Sequence, residues 1–374
     1  MVTRTPSSGQ ISMSDVNLAL TGKNATDKVS LNDTAVRSLA GAGYTTTNST
    51  ISMSVLYGKI SLISGSTSTN IQNLNIYNEL IKIGWDGAAP AAYTINAGVY
   101  IWSDSTSIAA LVTGGPFPGG LTIINNGYIM GKGGTGAGQG YTTSNNVITS
   151  QFDAAATAGG TAISVQIGNL TITNNGYIAG GGGGGGRAGS YSNSAGYTGT
   201  AGGGGGGAGG GAGGNGTVFF YGPNPSAGGA GGVLGGLGAD AYQDSYLGGT
   251  GGGGGGRVLP GTGGAGQNWT DGNPAKGGGA GGGGGVGYQI LTNLPGQPGY
   301  GGNGGSAGNS GDNGNSGGGA TNNSGGGGGW GASGGNPSSY SYGGTSGAAG
   351  GKAVALNSYS VTWTATGIRY GAIS

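Results

Sequence analysis

The chain has 374 residues, of which 103 are glycine, while charged residues make up only 6 % and leave a formal net charge of +1. Such sparse charge excludes the electrostatic attraction on which binding to nucleic acid and to anionic membranes depends. The sequence contains no Cys and no His, which excludes a disulfide framework, imidazole bases, Ser-His-Asp triads and most zinc sites. We therefore expect no cofactor and no metal, and we expect no membrane insertion because no apolar stretch is long enough.

Residues 1–60 repeat a short phrase, and each copy predicts an extended piece followed by a capped helical turn. Ser14 is predicted to cap a helix over residues 15–20, and Asn32 or Asp33 to cap one over residues 34–40. Units this small do not support a core alone. Two interpretations stay open: a cap on the next domain, or a docking module for a larger assembly. The copies are Ile11-Ser12-Met13-Ser14, Val29-Ser30-Leu31-Asn32 and Ile51-Ser52-Met53-Ser54.

Residues 61–179 predict a β-rich stem, because alternating apolar runs are separated by Gly, Pro and Asn turns. One helix is predicted over residues 71–83, with Leu74, Tyr77, Leu80 and Ile81 on one face. A phrase recurs within the stem, and both copies run directly into glycine: Leu121-Thr-Ile-Ile-Asn-Asn-Gly-Tyr-Ile129 and Leu170-Thr-Ile-Thr-Asn-Asn-Gly-Tyr-Ile178. The two copies predict either hairpins or stacked rungs of a β-solenoid, in which the Asn pairs form a ladder.

Residues 180–351 alternate glycine runs with short aromatic-bearing loops. A glycine run has no side chains to bury, so it is either a flexible linker or an extended threefold helix packed against its neighbours. The many runs, with Tyr, Trp, Phe, Leu and Pro between them, favour packing. The predicted fold is therefore mainly β plus a polyglycine-II helix bundle, with residues 352–374 forming a C-terminal strand that returns to the stem.

Antiparallel runs place every second loop at the end of the bundle far from the stem. On this count the far loops are residues 187–200, 239–247, 267–276, 309–315 and 336–342, and the near loops are 217–226, 257–260, 286–295 and 320–324. Apolar stretches in the near loops predict docking on the stem. The far loops predict a binding surface of aromatic residues set among Ser, Asn and Gly. Its predicted binding residues are Tyr191, Tyr197, Tyr242, Tyr246, Trp269, Tyr340 and Tyr342.

Catalytic chemistry finds little support in the sequence. The carboxylate pairs Asp86/Asp104 and Asp240/Asp244 match the minimum requirement of a glycosidase, but turn and cap roles are the favoured interpretation of these aspartates. The glycine runs lack the strand-to-helix context and the Gly-Lys-Ser/Thr ending of phosphate-binding loops. Residues 312–315 lack the downstream acidic ligand of a calcium loop. We predict that the protein is not an enzyme.

Four further sequence features are distinctive: residues 51–59 (Ile-Ser-Met-Ser-Val-Leu-Tyr-Gly-Lys), residues 84–87 (Gly-Trp-Asp-Gly) with 95–101 (Ile-Asn-Ala-Gly-Val-Tyr-Ile), the two Asn-Asn-Gly-Tyr-Ile units, and residues 361–371. In these features the chain resembles tail-tip adhesins and related tail-fibre proteins of tailed bacteriophages. The glycine-rich region is similar to the polyglycine domain of adhesins on the long tail fibres of some phages. The resemblance implies distal loops that contact an outer-membrane protein of the host.

The sequence and the resemblance together predict a non-enzymatic tail adhesin that recognises a bacterial surface receptor through the distal loops. The expected partners are an outer-membrane protein or surface glycan at one end and a phage tail or tail-fibre protein at the other. The predicted location is the virion tail, after assembly in the host cytoplasm. Homo-oligomers and single copies both stay open. The alternative functions are a purely structural tail or baseplate component and, less well supported by the bulky loops, a flat ice-binding face.

Overall fold

The computed structural model describes residues 4–20, 23–40, 50–59, 62–85, 87, 89–144, 147–187, 191–192, 198–199, 203–219, 223–226, 228–234, 252–257, 324–337 and 344–374. Its helices are α1 (Met13–Ala19), α2 (Thr34–Ala40) and α3 (Ile76–Lys82), with a short 3-10 turn at Met53–Leu56. The strands are β1 (Ile63–Thr67), β2 (Ile71–Gln72), β3 (Leu74–Asn75), β4 (Ala91–Ile95), β5 (Tyr100–Trp102), β6 (Leu111–Val112), β7 (Leu121–Asn125), β8 (Tyr128–Met130), β9 (Gly138–Ser144), β10 (Val147–Ala154), β11 (Ile163–Ser164), β12 (Leu170–Asn174), β13 (Tyr177–Ala179), β14 (Tyr191–Ser192), β15 (Thr198–Gly199), β16 (Gly216–Phe219), β17 (Pro223–Ser226), β18 (Val354–Ala355), β19 (Val361–Ala365) and β20 (Ile368–Tyr370).

The N-terminal helices share a small apolar core, in which Val16, Val36 and Leu56 are fully buried. The cap of α1 is Ser12 rather than Ser14: the Asp15 amide donates to the Ser12 hydroxyl, and the Ser12 amide donates to the Asp15 carboxylate. This reciprocal pairing is a capping box. Helix α1 therefore begins at Met13, before the predicted start at residue 15. The bounds of α2 agree with the prediction.

Parallel strands from 63 onward build a β-solenoid with three sheets. The first sheet has the order β1-β4-β7-β12-β19, the second β2-β5-β8-β13-β20, and the third β3-β6-β11-β18. Each rung crosses the three sheets in turn, so equivalent strands of successive rungs pair in register. The repeated phrase therefore forms stacked rungs, not hairpins. The last strands β19 and β20 pair with β12 and β13.

The interior of the solenoid is built from aliphatic columns. In β7 and β12 the alternate side chains are buried, and Leu121 lies opposite Leu170 while Ile123 lies opposite Ile172. Alternation with period two directs these side chains inward and the intervening Thr residues outward. The same stacking places like residues of each rung over one another along the core.

The two Asn pairs form the predicted ladder at the corner between the first two sheets. The buried Asn125 amide donates to Asn174 Oδ1 at 2.8 Å, and Asn174 in turn donates to the Thr366 carbonyl at 2.9 Å. Outside this column, the Asn175 amide donates to Asn126 Oδ1 at 2.9 Å. The ladder satisfies polar groups at the corner, where the sheet hydrogen bonds are interrupted.

The predicted helix over residues 71–83 is shorter than expected. Four of its first five positions form the strands β2 and β3, which pair with β5 and β6 of the next rung, and only Ile76–Lys82 is helical. Pairing along the solenoid overrides the local 3.6-residue period. Asn75 ends β3 and caps α3, because its side chain accepts a hydrogen bond from the Asn78 amide.

Glycine-rich segments leave the solenoid after β8 and β13 and return before β11 and β18. We call their described parts the glycine array: residues 131–137, 156–160, 180–187, 203–214, 228–232, 252–257, 324–335 and 344–351. Backbone hydrogen bonds join the array, and residues 180–187 lie at its centre. Its donor–acceptor pairs are Gly181–Gly160, Gly184–Thr157, Gly182–Ala208, Gly185–Gly205, Gly183–Ala332 and Gly186–Gly335, all between 2.7 and 3.0 Å.

The direction of these donors repeats every three residues, so amides three apart reach the same neighbouring segment. The carbonyls of the central segment accept hydrogen bonds from the amides of residues 131–137, 324–329 and 344–351, with the same three-residue repeat. Six neighbours therefore surround one segment, and the backbones approach too closely for a side chain. A Cβ added at Gly184 meets the Thr135 carbonyl oxygen at 1.8 Å. Only glycine fits such positions.

Candidate functional site

The glycine array has two ends. We call proximal the end where the chain leaves and re-enters the solenoid, at Gly131, Gly160, Gly180 and Gly351, and distal the opposite end, at Ala137, Gly186 and Gly335. Three antiparallel hairpins lie on the distal side: β9–β10, β14–β15 and β16–β17. Strand β16 contacts both β9 and β15, so the three hairpins are neighbours. This distal cluster is the candidate functional site.

The order of loops differs from the predicted alternation at two places. The chain reverses at Ala208-Gly209-Gly210 and again at Trp330-Gly331, where Gly209, Gly210 and Gly331 have positive φ. Each reversal makes two segments out of what the sequence presents as one glycine run. Residues 216–219, residues 223–226 and Ser324 consequently lie at the distal end, although residues 217–226 and Ser324 were expected in near loops.

Asparagine side chains complete the hydrogen bonding where segments end distally. Asn215 Oδ1 accepts from the Gly228 amide at 3.0 Å, and Asn336 Oδ1 accepts from the Gly347 amide at 3.1 Å. In both cases the amide belongs to the segment that returns after the distal loop. The side-chain carbonyl thus replaces a backbone acceptor at the edge of the array and fixes the base of the loop.

Of the predicted binding residues, Tyr191 lies in β14 of the distal cluster. The other six, Tyr197, Tyr242, Tyr246, Trp269, Tyr340 and Tyr342, lie outside the described residues. The residues that flank Tyr340 and Tyr342 are distal, since Gly335 contacts Gly186 and the Thr345 amide donates to the Arg187 carbonyl.

Sequence reasoning missed the β9–β10 hairpin as part of this surface. Its strands, Gly138–Ser144 and Val147–Ala154, lie within residues expected to belong only to the stem. The hairpin emerges from residues 131–137, which are part of the glycine array and follow β8 directly. The signal in the sequence is the glycine-rich stretch that starts at residue 131, just after the first Asn-Asn-Gly-Tyr-Ile unit. Residue 180 starts the equivalent stretch after the second unit, in the next rung.

At the proximal end, the array docks on the outer face of the second sheet through Trp330 and Ala208, both fully buried. They pack with Met130, Ala179 and Tyr370. The described part of the expected docking stretch, Val218-Phe219, is not at this end, because β16 starts distally. Phe220 and Tyr221 of that stretch lie outside the described residues. Docking therefore depends on the two chain reversals, at 208–210 and 330–331, because the turn of each one lies against the solenoid. The sequence alone did not predict either reversal.

A charged cluster also joins the array to the solenoid at the proximal end. The buried Arg257 contacts Asp104 at 2.6 Å, and its Nε donates to the Gly209 carbonyl at 3.2 Å. Lys132 donates to the Gly210 carbonyl at 2.7 Å. Burial works to raise the pKa of Asp104, but the hydrogen bond and charge of Arg257, aided by Lys132, outweigh it and lower that pKa. Burial, and then the Arg257 charge, lowers the pKa of Lys132.

In this cluster Asp104 pairs with Arg257 across the contact between solenoid and array, which differs from the turn or cap role expected from the sequence. A catalytic acid needs a raised pKa, whereas the pKa of Asp104 is lowered by its cationic partners. Asp86, Asp240, Asp244 and Asp312 lie outside the described residues. In the described ranges no group of acidic side chains is arranged to hold a metal ion. Among those same residues, no helix has the length and apolarity needed to cross a bilayer.

The described chain thus combines a parallel β-solenoid with a hydrogen-bonded glycine array that carries the distal hairpins. The family model for phage tail fibre adhesin Gp38 matches residues 59–276. The chain belongs to this family of phage tail fibre adhesins, which are components of the virion tail and serve attachment to the host.

The chain is similar to a chain in the crystal structure of the gp37–gp38 adhesin tip complex of the bacteriophage S16 long tail fibre, with 20 % identity and a TM-score of 0.43 over 87 % of each chain. No curated protein matches the sequence.

Proposed function

We propose that the protein recognises a receptor on the bacterial surface through the distal cluster, and that the glycine array which carries the cluster is a polyglycine-II bundle. The observation that supports the bundle is the three-residue repeat of hydrogen bonds around residues 180–187. A threefold extended helix has no internal hydrogen bonds, so every amide is available to a neighbouring helix. The six neighbours of the central segment account for both the amides and the carbonyls.

The proposed recognition surface benefits from a stiff support. Hydrogen-bonded glycine segments end at the bases of the distal loops, where Asn215 and Asn336 anchor the chain on each return. A loop whose base is fixed loses less conformational entropy on binding. Loops on a regular scaffold can also change in sequence without disturbing the scaffold, which suits an adhesin that must follow changes in its receptor.

The opposite part of the chain is proposed to join the protein to the tail. The domain scheme proposed here assigns residues 1–60 to docking on a tail or tail-fibre protein, residues 61–179 to the stem, 180–351 to the bundle and 352–374 to the returning strand. Within the stem range, residues 131–160 are the exception, because they contribute two segments and the β9–β10 hairpin to the bundle. The small core of α1 and α2 supports a docking module that holds its own shape. The proposal includes no enzymatic activity.

Adsorption to host cells tests the recognition surface. A variant that combines Tyr191→Ala, Tyr242→Ala and Trp269→Ala, and a second that combines Tyr141→Ala and Phe152→Ala in the β9–β10 hairpin, are compared with wild type. Aromatic anchors dominate most interfaces, so at least about a tenfold loss of adsorption is expected from the first. The control is Ile81→Ala, an exposed position on α3.

Normal adsorption by both distal variants, with their unfolding midpoints unchanged, contradicts the proposed surface. The structural alternative makes a different prediction, since a spacer has no receptor. It is favoured if purified wild-type protein binds no fraction of the host envelope, including intact outer membrane and isolated lipopolysaccharide.

A further inference from the structure

A groove of about 500 Å³ lies at the solenoid corner between the third sheet and the first. Loops of three successive rungs form it, namely those that connect β6 to β7, β11 to β12 and β18 to β19. The glycine array leaves from a different corner, between the second sheet and the third. The described lining residues are Gly114, Gly115, Pro116, Phe117, Pro118, Gln166, Ile167, Gly168, Asn169 and Tyr359.

The lining of this groove is uncharged and combines aromatic, aliphatic and amide side chains. None of the ten described lining residues is charged. Tyr359 exposes 43 % of its surface, and Gln166 and Asn169 are also exposed. Within the part of the chain that the structure describes, the side-chain amides of Gln166 and Asn169 and the Tyr359 hydroxyl make no hydrogen bond. An aromatic ring thus lies beside free amide donors and acceptors.

Contacts with buried residues and with the preceding rung hold the walls of the groove in place. The buried Phe117 stacks on Trp85 with ring centroids 4.5 Å apart, which anchors the loop between β6 and β7. In the last rung, the Asn357 side chain donates to Ser164 Oγ and to the Val165 carbonyl, both at 3.0 Å. Tyr359 is therefore carried by a loop that is tied to the rung before it. A groove that needs no rearrangement costs little entropy to fill.

We propose that this groove binds a neutral saccharide. The apolar faces of sugar rings pack against aromatic and proline side chains, while their hydroxyls exchange hydrogen bonds with neutral amides. The volume lies within the usual range of small-ligand sites, about 300–1,000 Å³, and accommodates one or two sugar rings. In a phage adhesin the source of such a ligand is bacterial envelope polysaccharide. The inference depends on the family membership and not on the distal cluster.

Saturation-transfer NMR on the full chain tests the site, with maltose, cellobiose and lactose as neutral probes and a glucuronic-acid disaccharide as the charged comparison. We expect at least one neutral probe to bind with a dissociation constant of about 1–10 mM, typical of a small open site. Tyr359→Ala should weaken that binding at least about tenfold, because it removes the stacking surface.

Two further variants separate ligand binding from folding. Asn169 has φ of 53°, which glycine tolerates, so Asn169→Gly removes the amide without straining the loop. Ile108→Ala changes a residue that is 47 % exposed and does not line the groove, and it should leave binding unchanged. All variants are checked for an unaltered unfolding midpoint before they are compared.

The proposal is overturned if none of the neutral probes gives a transfer signal at about 10 mM, the upper end of the expected range of dissociation constants, where at least about half of the sites are occupied. It is equally overturned if the signal survives in the double variant Tyr359→Ala/Asn169→Gly. A groove that instead binds a proline-containing peptide, tested with Ala-Pro-Pro-Ala, and ignores the sugars is a protein-docking site. Because the readout is saccharide binding, its outcome is independent of the adsorption assay on the distal variants.

Discussion

The solenoid and the glycine array both satisfy the hydrogen bonds of their backbone groups, but they differ in whether side chains fill the space between the paired segments. In the solenoid, backbone groups pair along parallel sheets and aliphatic side chains such as Ile123 and Ile172 fill the interior. In the array, the backbone groups of the central segment pair with six neighbouring segments, and its residues 180–186 are all glycine. Both satisfy their amides and carbonyls, but only the solenoid has an interior of side chains.

This difference predicts which kind of substitution destabilises each region. A side-chain core loses stability when atoms are removed, because the space they filled remains partly empty. A backbone core loses stability when atoms are added, because the carbonyl of the next segment already occupies the space. The two regions should therefore respond in opposite ways to the same small change in volume.

The largest effect is expected from adding one methyl group to the array. In Gly184→Ala, the new Cβ meets the Thr135 carbonyl oxygen at 1.8 Å, so two segments must separate. The cost should be at least about 3 kcal/mol, and it should appear as a loss of the array's thermal transition. Gly168→Ala is the matched control, since a Cβ there has nothing within 4 Å and should change stability little.

Hydrogen–deuterium exchange measures the same pair of variants by region. The central segment should lose protection in Gly184→Ala, while the strands of the solenoid retain theirs. If Gly184→Ala unfolds at the wild-type temperature with unchanged protection, the close packing of the array around residues 180–187 is wrong.

Removing atoms from the solenoid should have the next largest effect. Ile172→Ala empties part of a fully buried column beside Ile123, and the expected loss is about 2–5 kcal/mol in the free energy of unfolding. Ile108→Ala removes the same atoms from an exposed position and should cost much less. Chemical denaturation measures both. Equal losses from the two variants contradict the distinction between core and surface.

Much of the solenoid was predictable because its signals are local and repeated. The Asn-Asn-Gly-Tyr-Ile unit occurs twice, and its two copies lie in register in successive rungs. The Asn ladder follows from the same repeat, since Asn125 and Asn174 occupy equivalent corners. Helix α3 was overextended because β2 and β3 are defined by pairing with a later rung, which no local period reveals.

The array was less predictable because its turns have no sequence signature. Ala208-Gly209-Gly210 reverses the chain with the residues that elsewhere continue a segment. Glycine adopts both positive and negative φ at little cost, so a glycine run does not specify where it bends. Trp330 marks the other reversal by its size, and the solenoid face that buries it is visible only in three dimensions. Errors in the order of the loops follow from these two turns.

The smallest expected effect lies at the contact between the two regions, where Asp104 of the solenoid contacts Arg257 of the array. The pKa of Asp104 is lowered in the folded protein, with Arg257 and Lys132 outweighing the opposing effect of burial. A carboxyl with a lowered folded pKa stabilises the fold above its unfolded pKa, and this contribution is lost as the pH falls through the folded value. Stability at neutral pH should therefore exceed stability below about pH 3 partly through this pair.

Asp104→Asn should remove that share of the pH dependence. Because 51 % of the Asp104 side chain is exposed, solvent screens the pair and the loss at neutral pH should not exceed about 1 kcal/mol. Unfolding midpoints of both proteins are measured from about pH 7 down through the lowered folded pKa of Asp104, and the two curves should converge only below that pKa, where Asp104 is protonated in both the folded and the unfolded state. Parallel curves across that range show that the pair does not couple the array to the solenoid, and docking then depends on Trp330, Ala208 and the hydrogen bonds that Arg257 and Lys132 donate to backbone carbonyls.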